Sequence, residues 1–254
     1  MSDSNISLND PWFNLKAFTS ARIALGRAGG SLRTDDWLDF KLAHAKARDA
    51  VHHEFDSDAL VKKLMPINGA VLLLESQVKD RSRYLTRPDL GRCLDAGSQQ
   101  LLRNNVASYE VVFIVSDGLS AMAADKHAKA VLSLLLPRLL ELNWRIAPLM
   151  VARFGRVAIE DEIGALIGAK MAVILIGERP GLGSPDSLGA YVVHKPQIGN
   201  TDANRNCVSN IRPAGLSYEK AADTLLYLLT EAKRMQLSGI GLKDERVFTD
   251  DLLA

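Results

Sequence analysis

The second half of the chain carries three short apolar runs, Val111–Val115, Ile146–Val151 and Met171–Ile176, the first of them β-branched at most positions. Segments of helical length and periodicity separate them, Leu119–Leu142 with Pro137 inside it and Ile159–Ala169. A strand that is apolar at nearly every residue needs cover on both faces. Alternation of such strands with helices supplies that cover and indicates a parallel sheet between two helical layers. Ala190–His194 reads as a fourth strand. Ser217–Gln236 reads as the last helix, with an apolar face of Tyr218, Ala221, Ala222, Leu225, Leu229 and Ala232. Lys233 and Arg234 suit its negative end.

The first hundred residues read mainly as helix and loop. Thr34 is placed to cap a helix whose face is Trp37, Phe40, Ala43, His44, Ala47 and Val51. Ser57 and Asp58 open another, which Pro66 is expected to stop. Ala70–Leu74 is strand or helix, and Asp89–Arg103 is helical after Pro88. The expected class is therefore α/β. A smaller, mainly helical N-terminal domain (residues 1–100) precedes a Rossmann-like, mostly parallel sheet flanked by helices (residues 101–254).

Composition excludes several functions. With 31 Lys+Arg against 30 Asp+Glu and a net charge of +1, the chain lacks the basic excess of a nucleic-acid binder. Met1–Asp10 has no basic or apolar signal region, and no apolar stretch approaches the ~20 residues that span a bilayer. The two cysteines, Cys93 and Cys207, form neither a zinc site nor a disulfide scaffold, which suits a reducing cytoplasm. The five histidines show no ligand spacing.

Four segments should lie beyond strand ends on one rim, where ligands bind in open α/β sheets. They are Ser116–Ser120, Arg153–Val157, Gly177–Gly183 and Asn204–Asn210. Gly181-Leu-Gly183 lacks the third glycine of a dinucleotide loop, because Asp186 stands there. Glu178 could accept hydrogen bonds from a ligand or from its own domain edge. Cys207 has no neighbouring base and reads as a packed or ligand-contacting thiol. Cys93 is expected in the core. Lys79–Arg92, with Tyr84 among its arginines, suits a partner surface or pairing between the two halves.

Taken together, several motifs resemble the small (light) subunit of ethanolamine ammonia-lyase. They are Arg83-Tyr-Leu-Thr-Arg-Pro-Asp-Leu-Gly-Arg92, Val115-Ser-Asp-Gly-Leu-Ser120, Arg153-Phe-Gly-Arg-Val157, Ile159-Glu-Asp-Glu-Ile-Gly164, Gly177-Glu-Arg-Pro-Gly-Leu-Gly183 and Cys207-Val-Ser-Asn-Ile211. The resemblance runs from about Ala21 to Gly241 and leaves Lys243–Ala254 as a tail. It implies a subunit of an adenosylcobalamin-dependent radical lyase that converts ethanolamine to acetaldehyde and ammonia. The family's large subunit, a TIM barrel, would hold the substrate. This chain would cover the cofactor in a hetero-oligomer, be inactive alone, and reside in the cytoplasm or a bacterial microcompartment.

By the same resemblance the cobalamin contacts fall on Val157, Glu178 and Cys207, and no catalytic or metal-ligating residue belongs to this chain. Cobalamin would be base-on. Asp125-Lys-His127-Ala-Lys-Ala130 lacks the glycine of the histidine-ligating loop and lies inside an expected helix. The competing reading is a stand-alone Rossmann-like enzyme or binding protein for a nucleotide or small metabolite.

Overall fold

The structure, a computed structural model, describes residues 12–19 and 21–246. Two short strands, β1 (Arg27–Ala28) and β2 (Ser31–Leu32), pair antiparallel and lead into α1 (Thr34–His52) and α2 (Ser57–Asn68). Then follow β3 (Val71–Glu75), α3 (Arg81–Thr86), α4 (Ala96–Arg103), β4 (Tyr109–Ser116), α5 (Ala121–Glu141), β5 (Leu149–Arg153) and α6 (Ile159–Ile167). The chain ends with β6 (Ala169–Gly177), β7 (Leu188–His194), β8 (Arg205–Ile211) and α7 (Tyr218–Met235). One six-stranded sheet has the order β3-β5-β4-β6-β7-β8. Its first four strands are parallel, β7 runs antiparallel to β6, and β8 antiparallel to β7.

β4 sits inside this sheet, and Val111–Val115 are fully buried. Val111, Phe113 and Val115 join the core made with α5 and α7, while Val112 and Ile114 join the core made with Ile159, Ile163 and Ile167 of α6. Successive side chains of a strand point to opposite faces, so an unbroken apolar run is what two-sided burial demands. The α5 connection takes the chain from β4 to β5, and α6 returns it past β4 to β6. This reversal opens a crevice at the carboxyl end of β4.

Several expectations need correction. Thr34 is the first residue of α1 and Arg33 its cap, with no side-chain capping bond. Trp37 and Phe40 are exposed, and only Ala43, Ala47 and Ala50 of α1 are buried. Pro66 does not stop α2. The helix runs to Asn68 and ends at Gly69, whose φ of 70° is the left-handed stop that glycine adopts freely. Ala70–Leu74 resolves as the edge strand β3. Residues 89–103 divide into a 3₁₀ turn, Leu90–Arg92, and α4, whose first turn is capped by Asp95. Cys93 is exposed, not core.

Asn204–Asn210 is not a connection but is mostly strand β8. The loop between β6 and β7 is too short for the crossover a parallel neighbour requires, so β7 turns back. β8 then runs parallel to β6, and its end at Asn210 and Ile211 reaches the crevice.

Three consecutive acids near the start of α6, Glu160, Asp161 and Glu162, are all buried. Arg205 at the start of β8 donates through Nε to Glu160 Oε1 at 2.9 Å and through Nη2 to Asp161 Oδ2. Glu162 accepts from the Leu94 amide at 2.7 Å and from Gln99 at 2.8 Å. Burial still drives the Glu160 carboxyl well above its usual range. Arg205→Met should leave two buried acids without their cation and cost about 3–5 kcal/mol. Urea denaturation of the purified chain measures this; a loss below about 1 kcal/mol would show that the pair is dispensable.

Candidate functional site

An open cavity of about 670 Å³ lies at the carboxyl rim of the sheet. Gly118 and Leu119 follow β4, Arg156 and Val157 follow β5, Ile176 and Gly177 end β6, and Glu178 and Arg179 follow it. Tyr191 of β7 and Asn210 and Arg212 from the end of β8 complete one side, and Tyr84 of α3 the other.

Close backbone approach makes this rim. Gly118 has φ of 55°, and a Cβ there would lie 2.3 Å from the Gly177 carbonyl oxygen. Leu119 N–H donates to that same carbonyl at 2.9 Å. Beneath it Asp117 is buried. Its Oδ1 accepts from the Phe154 amide at 2.7 Å, and its Oδ2 faces Arg81 at 3.3 Å. Arg81 also donates to the carbonyls of Gly118 at 2.7 Å, Leu119 at 3.1 Å and Val51 at 2.8 Å. Burial outweighs these partners and raises the Asp117 carboxyl to about 6.

Within the arginine-rich segment Arg81 and Tyr84 turn inward, while Lys79, Arg83 and Arg87 stay exposed. Arg81 ties the first half of the chain to the rim. Tyr84 is buried, with its hydroxyl donating to the Gly155 carbonyl at 3.1 Å and Arg156 lying 4.0 Å from its ring centroid. Burial raises the Tyr84 phenol, which stays protonated as that donor requires.

Of the three residues singled out in sequence, Val157 and Glu178 line the same cavity. Glu178 Oε2 accepts from the Asn210 amide at 3.2 Å. Among the described residues it forms no ion pair with the adjacent Arg179, so the domain-edge partner is backbone. Cys207 is absent from the wall. It lies on β8 opposite Tyr191, which does line the cavity. Burial raises the Cys207 thiol, which stays protonated at neutral pH and is a poor nucleophile.

His127 lies inside α5 with Nδ1 2.8 Å from the Tyr218 hydroxyl and Nε2 2.9 Å from the Asp186 carbonyl. Both ring nitrogens are thus engaged within the chain. The Gly181-Leu-Gly183 segment is a tight turn, with mutual backbone bonds between Gly181 and Ser184. Among the described residues no cluster of His, Cys, Asp and Glu could hold a metal ion, and no helix is long and apolar enough to cross a membrane. Arg81 and Asn210 are site builders that the sequence does not announce, whereas Asp117 belongs with Glu178 and Cys207 to the rim that the competing, stand-alone reading would use. Asp117 had a signal, a carboxylate directly after a fully apolar strand. Asn210 had none, since its role depends on strand register.

A family profile described as ethanolamine ammonia-lyase light chain matches residues 9–243. A protein of Azotobacter vinelandii (strain DJ / ATCC BAA-1303) named ethanolamine ammonia-lyase small subunit is 52% identical over 249 residues, covering 96% of this chain and 92% of the relative. A protein of the same name from Pseudomonas aeruginosa (strain LESB58) is 53% identical over 243 residues, covering 94% and 89%. Another, from Ralstonia nicotianae (strain ATCC BAA-1114 / GMI1000), is 52% identical over 239 residues, covering 92% and 88%.

The buried acid beneath the rim sets a pH dependence. The Asp117 carboxyl titrates near 6 when folded, against an ordinary value of 3.8. Its stabilisation relative to a neutral side chain is fully present below the unfolded value and is lost as pH rises through the folded one. The stability advantage of wild type over Asp117→Asn should therefore shrink by about 2–3 kcal/mol between pH 4 and pH 7. Urea midpoints of both proteins across that range check it, and an advantage that grows with pH would contradict the assignment.

Proposed function

The chain belongs to the ethanolamine ammonia-lyase light-chain family, and from that premise we propose that its rim cavity binds adenosylcobalamin at an interface with the large subunit. The observation that carries this reading is that Val157 and Glu178, far apart in sequence, line one open cavity at the switch point of the sheet. Its chemistry fits a broad ring edged with carboxamides. Val157 and Ile176 offer apolar contact, Glu178 an acceptor for amide N–H, and Arg156, Arg179 and Arg212 donors for amide carbonyls. Bound adenosylcobalamin supplies radical chemistry through homolysis of its Co–C bond.

The chain's own part is binding and orientation. Glu178 holds a ligand amide against the rim, Val157 packs on the ring, and Cys207, exposed on β8 beside Tyr191, offers a small polarizable contact at the cavity's edge. The relatives' name, small subunit, supports a large-subunit partner; it would cover the open side and hold ethanolamine, leaving this chain inactive by itself. His127, bonded on both ring nitrogens, supports base-on cobalamin. Apart from Tyr84 the wall comes from residues after 100, which supports assigning cofactor binding to the 101–254 portion. Both cysteines are free, which suits a reducing cytoplasm.

Two measurements test this. Adenosylcobalamin titrated into the two-subunit complex should bind Glu178→Gln about ten- to hundredfold more weakly than wild type, the loss of one charge-assisted hydrogen bond, with the melting temperature unchanged. Equal affinity would remove Glu178 from the contact. The light chain alone should deaminate no ethanolamine in the presence of adenosylcobalamin; turnover by the single chain would favour a stand-alone enzyme.

A further inference from the structure

The pairing of β7 with β8 is interrupted where Glu178 sits. Leu188 pairs with Ile211 and Ala190 with Val208, so Gly189 alone faces both Ser209 and Asn210. This is a β-bulge, a device that bends a strand and re-aims its groups. Asn210 has φ of 58°, a left-handed conformation that asparagine tolerates far better than β-branched residues do. In that conformation its N–H leaves the ladder and donates to the Glu178 carboxylate, 3.2 Å from Oε2 and 3.4 Å from Oε1. Its side-chain Oδ1 accepts from Arg212 Nε at 2.9 Å, and its carbonyl accepts from Leu216 N–H at 2.8 Å.

Gly189 supplies the matching space. A Cβ there would lie 2.9 Å from Glu178 Oε1 and 3.1 Å from its Cγ. The extra residue of the bulge brings a donor to the carboxylate, and the missing side chain opposite lets the carboxylate lie flat on the sheet.

We propose that Asn210, set in this bulge opposite Gly189, is a positioning residue that fixes the Glu178 carboxylate, and through Oδ1 the Arg212 guanidinium, on the cavity wall. This rests on the reading of Glu178 as a ligand acceptor. It places no demand on the Asn210 side chain touching the ligand.

The test uses the two-subunit complex and adenosylcobalamin as probe. Asn210→Val, which disfavours the left-handed backbone, and Gly189→Ala, which crowds the carboxylate, should each weaken binding about tenfold. Asn210→Gly, which keeps the backbone geometry, should stay within about threefold of wild type. Adding Asn210→Val to Glu178→Gln should cost nothing further, because the two act as one unit. Independently of cofactor, the Asn210 amide proton of the isolated chain should shift upfield in Glu178→Gln by NMR.

Wild-type affinity in both Asn210→Val and Gly189→Ala, beside a weakened Glu178→Gln, would overturn the positioning role while leaving Glu178 as a contact. Wild-type affinity in Glu178→Gln would instead remove the contact, and the Asn210 amide would then decide the positioning alone. An unmoved resonance overturns it. Should Asn210→Val fail to assemble, Gly189→Ala and the amide resonance carry the same decision.

Discussion

A carboxylate withheld from water, Asp117, organises the rim. Its position after β4 puts it where the chain reverses direction across the sheet, and its two oxygens collect partners from distant segments. One takes the Phe154 amide of the loop after β5; the other faces Arg81, which reaches the rim from α3. Arg81 in turn closes the turn at Gly118 and Leu119, the turn that packs on the Gly177 backbone at the end of β6. Three strand ends are thereby held in register around one cavity. A buried polar network of this kind is effective only when its members are satisfied.

The edge of the site is held differently. β8 is the outer strand, and an unsupported edge strand is the least constrained part of a sheet. Here it is fastened at both ends. Arg205 locks its start to the buried acids of α6, and the bulge at Ser209–Asn210 locks its finish to Glu178. Cys207 lies between these two anchors, beside Tyr191. The position of the thiol relative to the cavity is therefore set by contacts made two or three residues away on either side.

Much of this architecture was legible because burial leaves a mark on composition. The runs at Val111–Val115 and Met171–Ile176 are apolar at every position, and they became strands covered on both faces. The run Ile146–Val151 gave a strand that begins only at Leu149, since Pro148 has no N–H for the ladder. The direction of β7 and the strand character of Arg205–Ile211 were not legible from periodicity. An amphipathic edge strand such as β8 has a weaker pattern than a buried one, and its partner is decided by the length of the β6–β7 connection. The motif Ile159–Gly164 marked the chain's kinship, but nothing in an acidic triplet shows that all three acids are buried, two against Arg205 and the third on Leu94 and Gln99. Val157 and Glu178 were visible as rim residues by following strand ends. The bulge that connects Glu178 to Asn210 was not, because it exists only in the pairing of two strands.

We propose the carboxyl rim of this sheet as the cofactor-binding face. Hydrogen–deuterium exchange of the two-subunit complex, with and without adenosylcobalamin, tests it most directly. Binding at that rim should add protection in peptides spanning residues 117–120, 154–158, 177–184 and 208–213 and leave the opposite rim around His194 and Lys195 unchanged. Protection confined to that opposite rim, or no change in this chain when the cofactor is bound, would contradict it.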